Sequence, residues 1–134
     1  MTERDWTPVR KVMRTDVTHV DGKITVLEAL RIMKRDQVTC LIVNKRFESD
    51  EWGMLLFSDV AKQVIAKDRA PERVNVFEIM AKPVISVRPD MDIRYCARLF
   101  DRFGISHAPV IEYDKVVGMV SYYLLVLEGL PDLD

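Results

Sequence analysis

VMRTDVTHVDGKITVLEALRIMKRDQVTCLIV, residues 12–43, and IMAKPVISVRPDMDIRYCARLFDRFGISHAPV, residues 79–110, are two versions of one pattern. A shift of 67 positions lays the first on the second. Identities are few, but residue classes agree. Met13 falls on Met80, Val17 on Val84, Val20 on Val87, Val26 on Ile93, Leu30 on Ala97, Met33 on Phe100, Val38 on Ile105 and Val43 on Val110. Past a polar loop two residues longer in the first copy, Gly53-Met54-Leu55 meets Gly118-Met119-Val120. Surface loops absorb insertions most easily, so the length difference sits where it disturbs least. A repeat of this kind decides architecture, because each copy must then be one supersecondary unit.

Each copy reads as the same series of elements. A short strand, Val17 to Val20 or Val84 to Val87, passes through Asp21-Gly22-Lys23 or Arg88-Pro89-Asp90 into a helix. Val26, Ala29, Leu30 and Met33, and again Ile93, Cys96, Ala97 and Phe100, follow the i, i+3, i+4, i+7 spacing of one buried helix face. Thr25 and Glu28 have the spacing of a capping box, and Asp92 is placed to cap the second copy's helix. A hairpin follows, Thr39 to Asn44 with Trp52 to Phe57, and His107 to Glu112 with Lys115 to Ser121. A last helix closes each copy, Asp59 to Lys67 and Tyr122 to Gly129, with residues 66–75 as the connection. The expected fold is α+β, two tandem β-α-β-β-α repeats, divided as residues 1–70 and 71–134. One such copy is near the size at which a single core is marginal, so the two are expected to pack together.

Composition narrows function. Of 134 residues about half are apolar, and 20 basic against 21 acidic side chains leave no general positive field. Nucleic acid and anionic lipid are therefore not expected partners. Cys40 and Cys96 form neither a C-x-x-C pair nor a disulfide framework, which points to a reducing setting. The opening MTERDWTPVRKVM lacks the apolar core of a signal peptide, and no apolar run approaches a membrane span. A soluble, cytoplasmic protein is the expectation.

The openings VMRTDVTHV and IMAKPVISV, the stretch GISHAPVI, and GMLLFSDV with GMVSYYLL together resemble the tandem cystathionine-beta-synthase domain pair, the CBS pair or Bateman module. The resemblance runs from about Val12 to Leu130. It implies two copies related by a pseudo-twofold axis and no catalysis. It also implies an adenosine-containing ligand between the copies (AMP, ADP, ATP, S-adenosylmethionine or NAD), with no cofactor required. A homodimer and an effector protein that receives the signal complete the expectation.

The family's third strand is commonly followed by Gly-h-h-Ser/Thr-x-x-Asp, where h is apolar. The first copy keeps the acid, Asp59, but has Leu56 in place of the hydroxyl. The second keeps the hydroxyl, Ser121, but has Leu124 in place of the acid. Two equal sites are therefore not expected. By resemblance, the favoured cleft contains Asp59, Ser58, Leu56 and Met54, completed by Met80, Val84, Ile85, Ile105 and Ser106. A weaker one contains Ser121 with Val17, Thr18, Val38 and Thr39, and Met13 nearby. A carboxylate recognises a ribose diol better than one hydroxyl does, which favours Asp59. Without a ligand, Ser58-Asp59 would serve only as a helix N-cap and Ser121 only as a helix-start hydroxyl.

An enzyme would need Ser121 or Cys96 as nucleophile, His107 or His19 as base and Asp59 or Asp114 to orient it, and no local motif supports that set. A metal site would need His19, His107, Cys40 and Cys96 to converge without ligand spacing. His107 aligns with Cys40, so no imidazole is common to both copies; it reads as a half-exposed strand residue, with Ile105 and Ser106 the better ligand contacts. The split signature and the apolar YYLLVLEGL leave a second reading open, a dimerisation or protein-interaction module with little ligand affinity.

Overall fold

The computed structural model describes residues 6–131. In chain order its elements are a 3-10 turn Val9–Lys11, β1 His19–Val20, α1 Val26–Asp36, β2 Cys40–Val43, β3 Gly53–Leu56 and α2 Phe57–Val60, which runs into a π-helical turn Ala61–Ile65. A second 3-10 turn Pro71–Arg73, α3 Val76–Ile79, α4 Ile93–Phe103, β4 His107–Glu112, β5 Lys115–Ser121 and α5 Tyr122–Leu127 follow. The chain packs as two compact units. The first is Thr18–Val84, and the second joins residues 6–17 with residues 85–131.

In the first unit β1 pairs parallel with β2, and β2 antiparallel with β3, Cys40 opposite Leu56 and Val43 opposite Gly53. In the second, β4 and β5 form the antiparallel hairpin with His107 opposite Ser121 and a register shift between Val110 and Ile111. The long helices bury the face their spacing dictates: Val26, Ala29 and Met33 on α1, and Ile93, Cys96 and Phe100 on α4. Thr25 accepts the Glu28 N–H at 3.1 Å, and Asp92 accepts the Arg94 N–H at 2.8 Å. Both helices end on a left-handed residue, Gln37 with φ 54° and Gly104 with φ 64°. Glycine adopts that conformation without penalty, and glutamine does not.

Four sequence expectations are corrected. The strand expected at Val84–Val87 is reduced to one parallel bridge, Val87 to Val110, carried by Val87 N–H to Pro109 O and Ile111 N–H to Val87 O. Pro89 follows two residues later and has no N–H to continue a ladder. Its counterpart in the first copy is shortened to His19–Val20. The helix expected from Asp59 starts two residues earlier, at Phe57, and passes into the π-helical turn closed by Ala66 N–H to Ala61 O. The last helix ends at Leu127 rather than Gly129.

Repeat and packing unit prove to be different divisions of the chain. The segment leading into each sequence copy packs on the other copy. Val76 N–H donates to Ile24 O, Phe77 N–H to Gly22 O, and Met54 and Ala81 exchange both backbone bonds. One repeat away, Val9 N–H donates to Met91 O, Arg10 N–H to Pro89 O, and Arg14 and Met119 exchange both bonds. The cores follow the same rule. Val74, Val76 and Ile79 close the first over Met33 and Leu55, and Val9 and Val12 close the second over Phe100 and Val120. Glycine is required where these segments cross the hairpins: an added Cβ on Gly53 would lie 2.8 Å from Met80 Sδ, and one on Gly118 2.7 Å from Arg14 O.

Candidate functional site

The favoured residues are divided between the units. Met54, Leu56, Ser58, Asp59, Met80 and Val84 belong to the first, and Ile85, Ile105 and Ser106 to the second. Within the first unit the Met54–Ala81 bridge places Met80 beside β3, whose end, Leu56, is the N-cap of α2. Met54 is buried, Leu56, Met80 and Val84 are half-buried, and Ser58 is exposed.

Asp59 is the third residue of α2, not its N-cap. Its Oδ2 accepts the N–H of Leu56 at 2.8 Å. Because the helix begins at Phe57, the cap falls on Leu56, which has no side-chain oxygen, and the carboxylate reaches back to the N-cap amide instead. The expected Ser58-Asp59 cap is therefore corrected: Ser58 lies inside the first turn. The second unit solves the same problem in the complementary way. Ser121 caps α5, its Oγ accepting the Leu124 N–H at 3.3 Å. A full capping box uses both bonds, the N-cap hydroxyl to the third residue's N–H and the third residue's carboxylate to the N-cap N–H. Leu56 and Asp59 keep one half, and Ser121 and Leu124 keep the other. Ser/Thr-x-x-Asp has the spacing of a capping box, and this chain divides the two bonds of such a box between its two units.

Burial pushes the Asp59 carboxyl above its ordinary value, opposed by the Leu56 N–H and by the Lys62 charge. Among the described residues the carboxylate has no other hydrogen bond, so it retains acceptor capacity. Sequence reasoning did not find the ion-paired cluster at the loop that joins β2 and β3. Asp50 lies 2.8 Å from Lys82 Nζ and 3.1 Å from Arg46 Nε, with its side chain only 7% exposed. The hydrogen bonds from Arg46 and then Lys82 hold its carboxyl well below the usual carboxylate range. Asp50 comes from the loop insertion and Lys82 lies 32 residues on, so no local spacing announces the pair.

Of the weaker set, Ser121 and Val17 belong to the second unit and Thr18, Val38 and Thr39 to the first. The Thr18 hydroxyl donates to Asp36 at 3.3 Å and Val38 is buried. Tyr122 packs edge to face on the buried Phe100 with ring centroids 5.2 Å apart and stays 41% exposed. His107 is half-buried, shares a 2.8 Å hydrogen bond with Ser106 Oγ, and is shifted by burial toward its neutral form. The Ser106 hydroxyl, singled out in the sequence, is thus engaged by the histidine. Cys96 is fully buried, and burial pushes its thiol up to about 11, which disfavours the thiolate at neutral pH. Among the described residues no cluster of three or more His, Cys, Asp or Glu side chains is placed to hold a metal, and no helix is long and apolar enough to cross a membrane.

The two-unit α+β fold, with a capped helix after each hairpin, is shared with known proteins. The chain belongs to the CBS domain family as a tandem pair, residues 9–65 and 76–126 each matching a CBS domain. It is similar to the hexameric CBS-CP12 protein from bloom-forming cyanobacteria, with a TM-score of 0.90 and 32% identity over 92% of this chain and 68% of that one. A CBS domain pair in complex with 5′-methylthioadenosine and S-adenosyl-L-methionine shares the fold, with a TM-score of 0.76 and 24% identity over 89% of this chain and 96% of that one. In sequence the chain is 32% identical over 116 residues to a homoserine O-acetyltransferase of Methanohalobium evestigatum, 86% of this chain but only 22% of the transferase. The segment held in common with that enzyme is thus the CBS pair, about a fifth of its length.

Proposed function

We propose that this CBS pair is a regulatory receptor for an adenosine-containing ligand, held at the Asp59 half-site, and that occupancy is passed to a partner protein. Asp59 carries the reading. A half-buried carboxylate, fixed through one oxygen by the Leu56 N–H and with acceptor capacity left, suits the paired hydroxyls of a ribose. Leu56, half-buried at the end of β3, supplies apolar surface of the kind an adenine ring requires. The complex of a related CBS pair with two adenosyl compounds supports the ligand class. Signalling then requires that the ligand prefer one arrangement of the protein over another.

The capping bond favours a second reading: Asp59 already has a structural task without any ligand, as a purely structural or interaction module would require. Thermal melting with AMP, ATP, S-adenosylmethionine and NAD separates the two. A receptor saturated at a hundredfold excess over Kd gains about 2.7 kcal/mol, a readily measured rise in midpoint. Asp59→Ala should remove most of that rise. No shift with any of the four compounds would favour the interaction module.

A further inference from the structure

We infer that Met13 and Met80 are paired oxidation sites, at which a peroxide converts each thioether to a sulfoxide and releases the leading segment from the hairpin it crosses.

The two methionines hold equivalent places in the repeat, 67 positions apart. Each lies in a leading segment and lays its sulfur on a glycine of the hairpin in its own unit. A Cβ added to Gly53 would lie 2.8 Å from Met80 Sδ, and one added to Gly118 2.6 Å from Met13 Sδ. Only a hydrogen fits between sulfur and backbone, so thioether and glycine make one close contact. Beside each sulfur runs the exchange of backbone bonds that holds the crossing, Met54 with Ala81 and Arg14 with Met119.

Exposure selects the same pair. Met33, Met54 and Met119 are 1%, 5% and 6% exposed, whereas Met13 and Met80 are half-buried. Met91 is half-buried too, but it packs on the second core and is not among the atoms nearest either glycine. Sulfur attacks one oxygen of hydrogen peroxide and the O–O bond breaks. That oxygen stays on sulfur, which loses two electrons, and the other leaves with both hydrogens as water.

The product is a polar acceptor in a place that suits a thioether. Its surroundings are acceptors as well: the Cβ point on Gly53 is 3.4 Å from Ala81 O, and that on Gly118 is 2.7 Å from Arg14 O. The N–H groups of Met54, Ala81, Arg14 and Met119 are already donated within the two crossings. An acceptor buried without a donor is costly, so the sulfoxide favours a state in which the segment lifts and water supplies the bond.

Peroxide titration of the purified protein, read by peptide mass spectrometry and amide hydrogen exchange, tests this. Met13 and Met80 should gain oxygen ahead of Met33, Met54 and Met119, and the amides of Met54, Ala81, Arg14 and Met119 should then exchange at least about tenfold faster. Met80→Leu, of similar volume and resistant to peroxide, should keep the Met54–Ala81 pair protected while the Arg14–Met119 pair still opens. Met13→Leu should do the reverse and Met91→Leu should change neither, with circular dichroism verifying that each variant is folded. Buried methionines oxidised as readily as Met13 and Met80, or unchanged exchange once both carry oxygen, would overturn the inference.

Discussion

Replacing Val9 by alanine should destabilise the far end of the chain rather than its own neighbours in sequence. Val9 is fully buried and belongs to the core formed with Ile93, Cys96 and Phe100. The substitution removes two carbons, about 1.6 kcal/mol at ~0.8 kcal/mol for each buried methylene, and the cavity left behind raises the loss to about 2–2.5 kcal/mol. In amide hydrogen exchange that is a drop in protection of about 30- to 60-fold. The drop should fall on α4, β4 and β5, while α1, β2 and β3 keep their protection. Val76→Ala is the mirror experiment, since Val76 is fully buried in the first core, and it should expose α1 to β3 instead. If Val9→Ala lowered protection chiefly within residues 18–84, the exchange of leading segments between the copies would be refuted.

At Gly118, a Cβ would meet Met13 Sδ at 2.6 Å and the Arg14 carbonyl at 2.7 Å, so Gly118→Ala should cost about 1–3 kcal/mol by parting the Arg14–Met119 pair, read as a lower unfolding midpoint in urea. Gln37→Gly should stabilise by up to about 1 kcal/mol, because Gln37 holds φ 54° at the end of α1, and Gly104→Ala should cost a similar amount although no atom lies within 4 Å of its Cβ. Acid should unfold the protein partly through Asp92, which is 1% exposed and whose carboxyl is held below 3.8 by the Arg94 hydrogen bonds. A depressed carboxyl contributes stability above its unfolded value and loses it as pH falls through the folded one, so stability should decline below about pH 4. Asp92→Asn should flatten that decline in pH-dependent melts. An equally steep decline in the variant would place the acid sensitivity elsewhere.

Much of the architecture was legible because it rests on local spacing. The buried stripes Val26-Ala29-Met33 and Ile93-Cys96-Phe100 are periodic within single helices, and the β4–β5 hairpin has the ends read for it, His107–Glu112 and Lys115–Ser121. The repeat itself was visible because both copies solve the same burial problem with residues of the same class. The candidate site was legible only in part. The spacing of Leu56 with Asp59 and of Ser121 with Leu124 is the spacing of a capping box, but its meaning depends on where each helix begins. Strand β3 ends at Leu56 and α2 begins at once, so Asp59 moves from the cap into the first turn.

The sequence by itself determined that there are two copies, which faces of their helices are apolar, and that the chemistry of the two helix starts differs. Those properties are carried by neighbours three or four residues apart, within reach of helical geometry. The tertiary structure alone decided that each copy's leading segment closes the other copy's core, and that Lys82 is spent on Asp50. The bonds responsible, Val9 to Met91, Arg14 to Met119 and Asp50 to Lys82, join residues far apart in sequence through backbone groups or long flexible side chains, neither of which leaves a periodic trace.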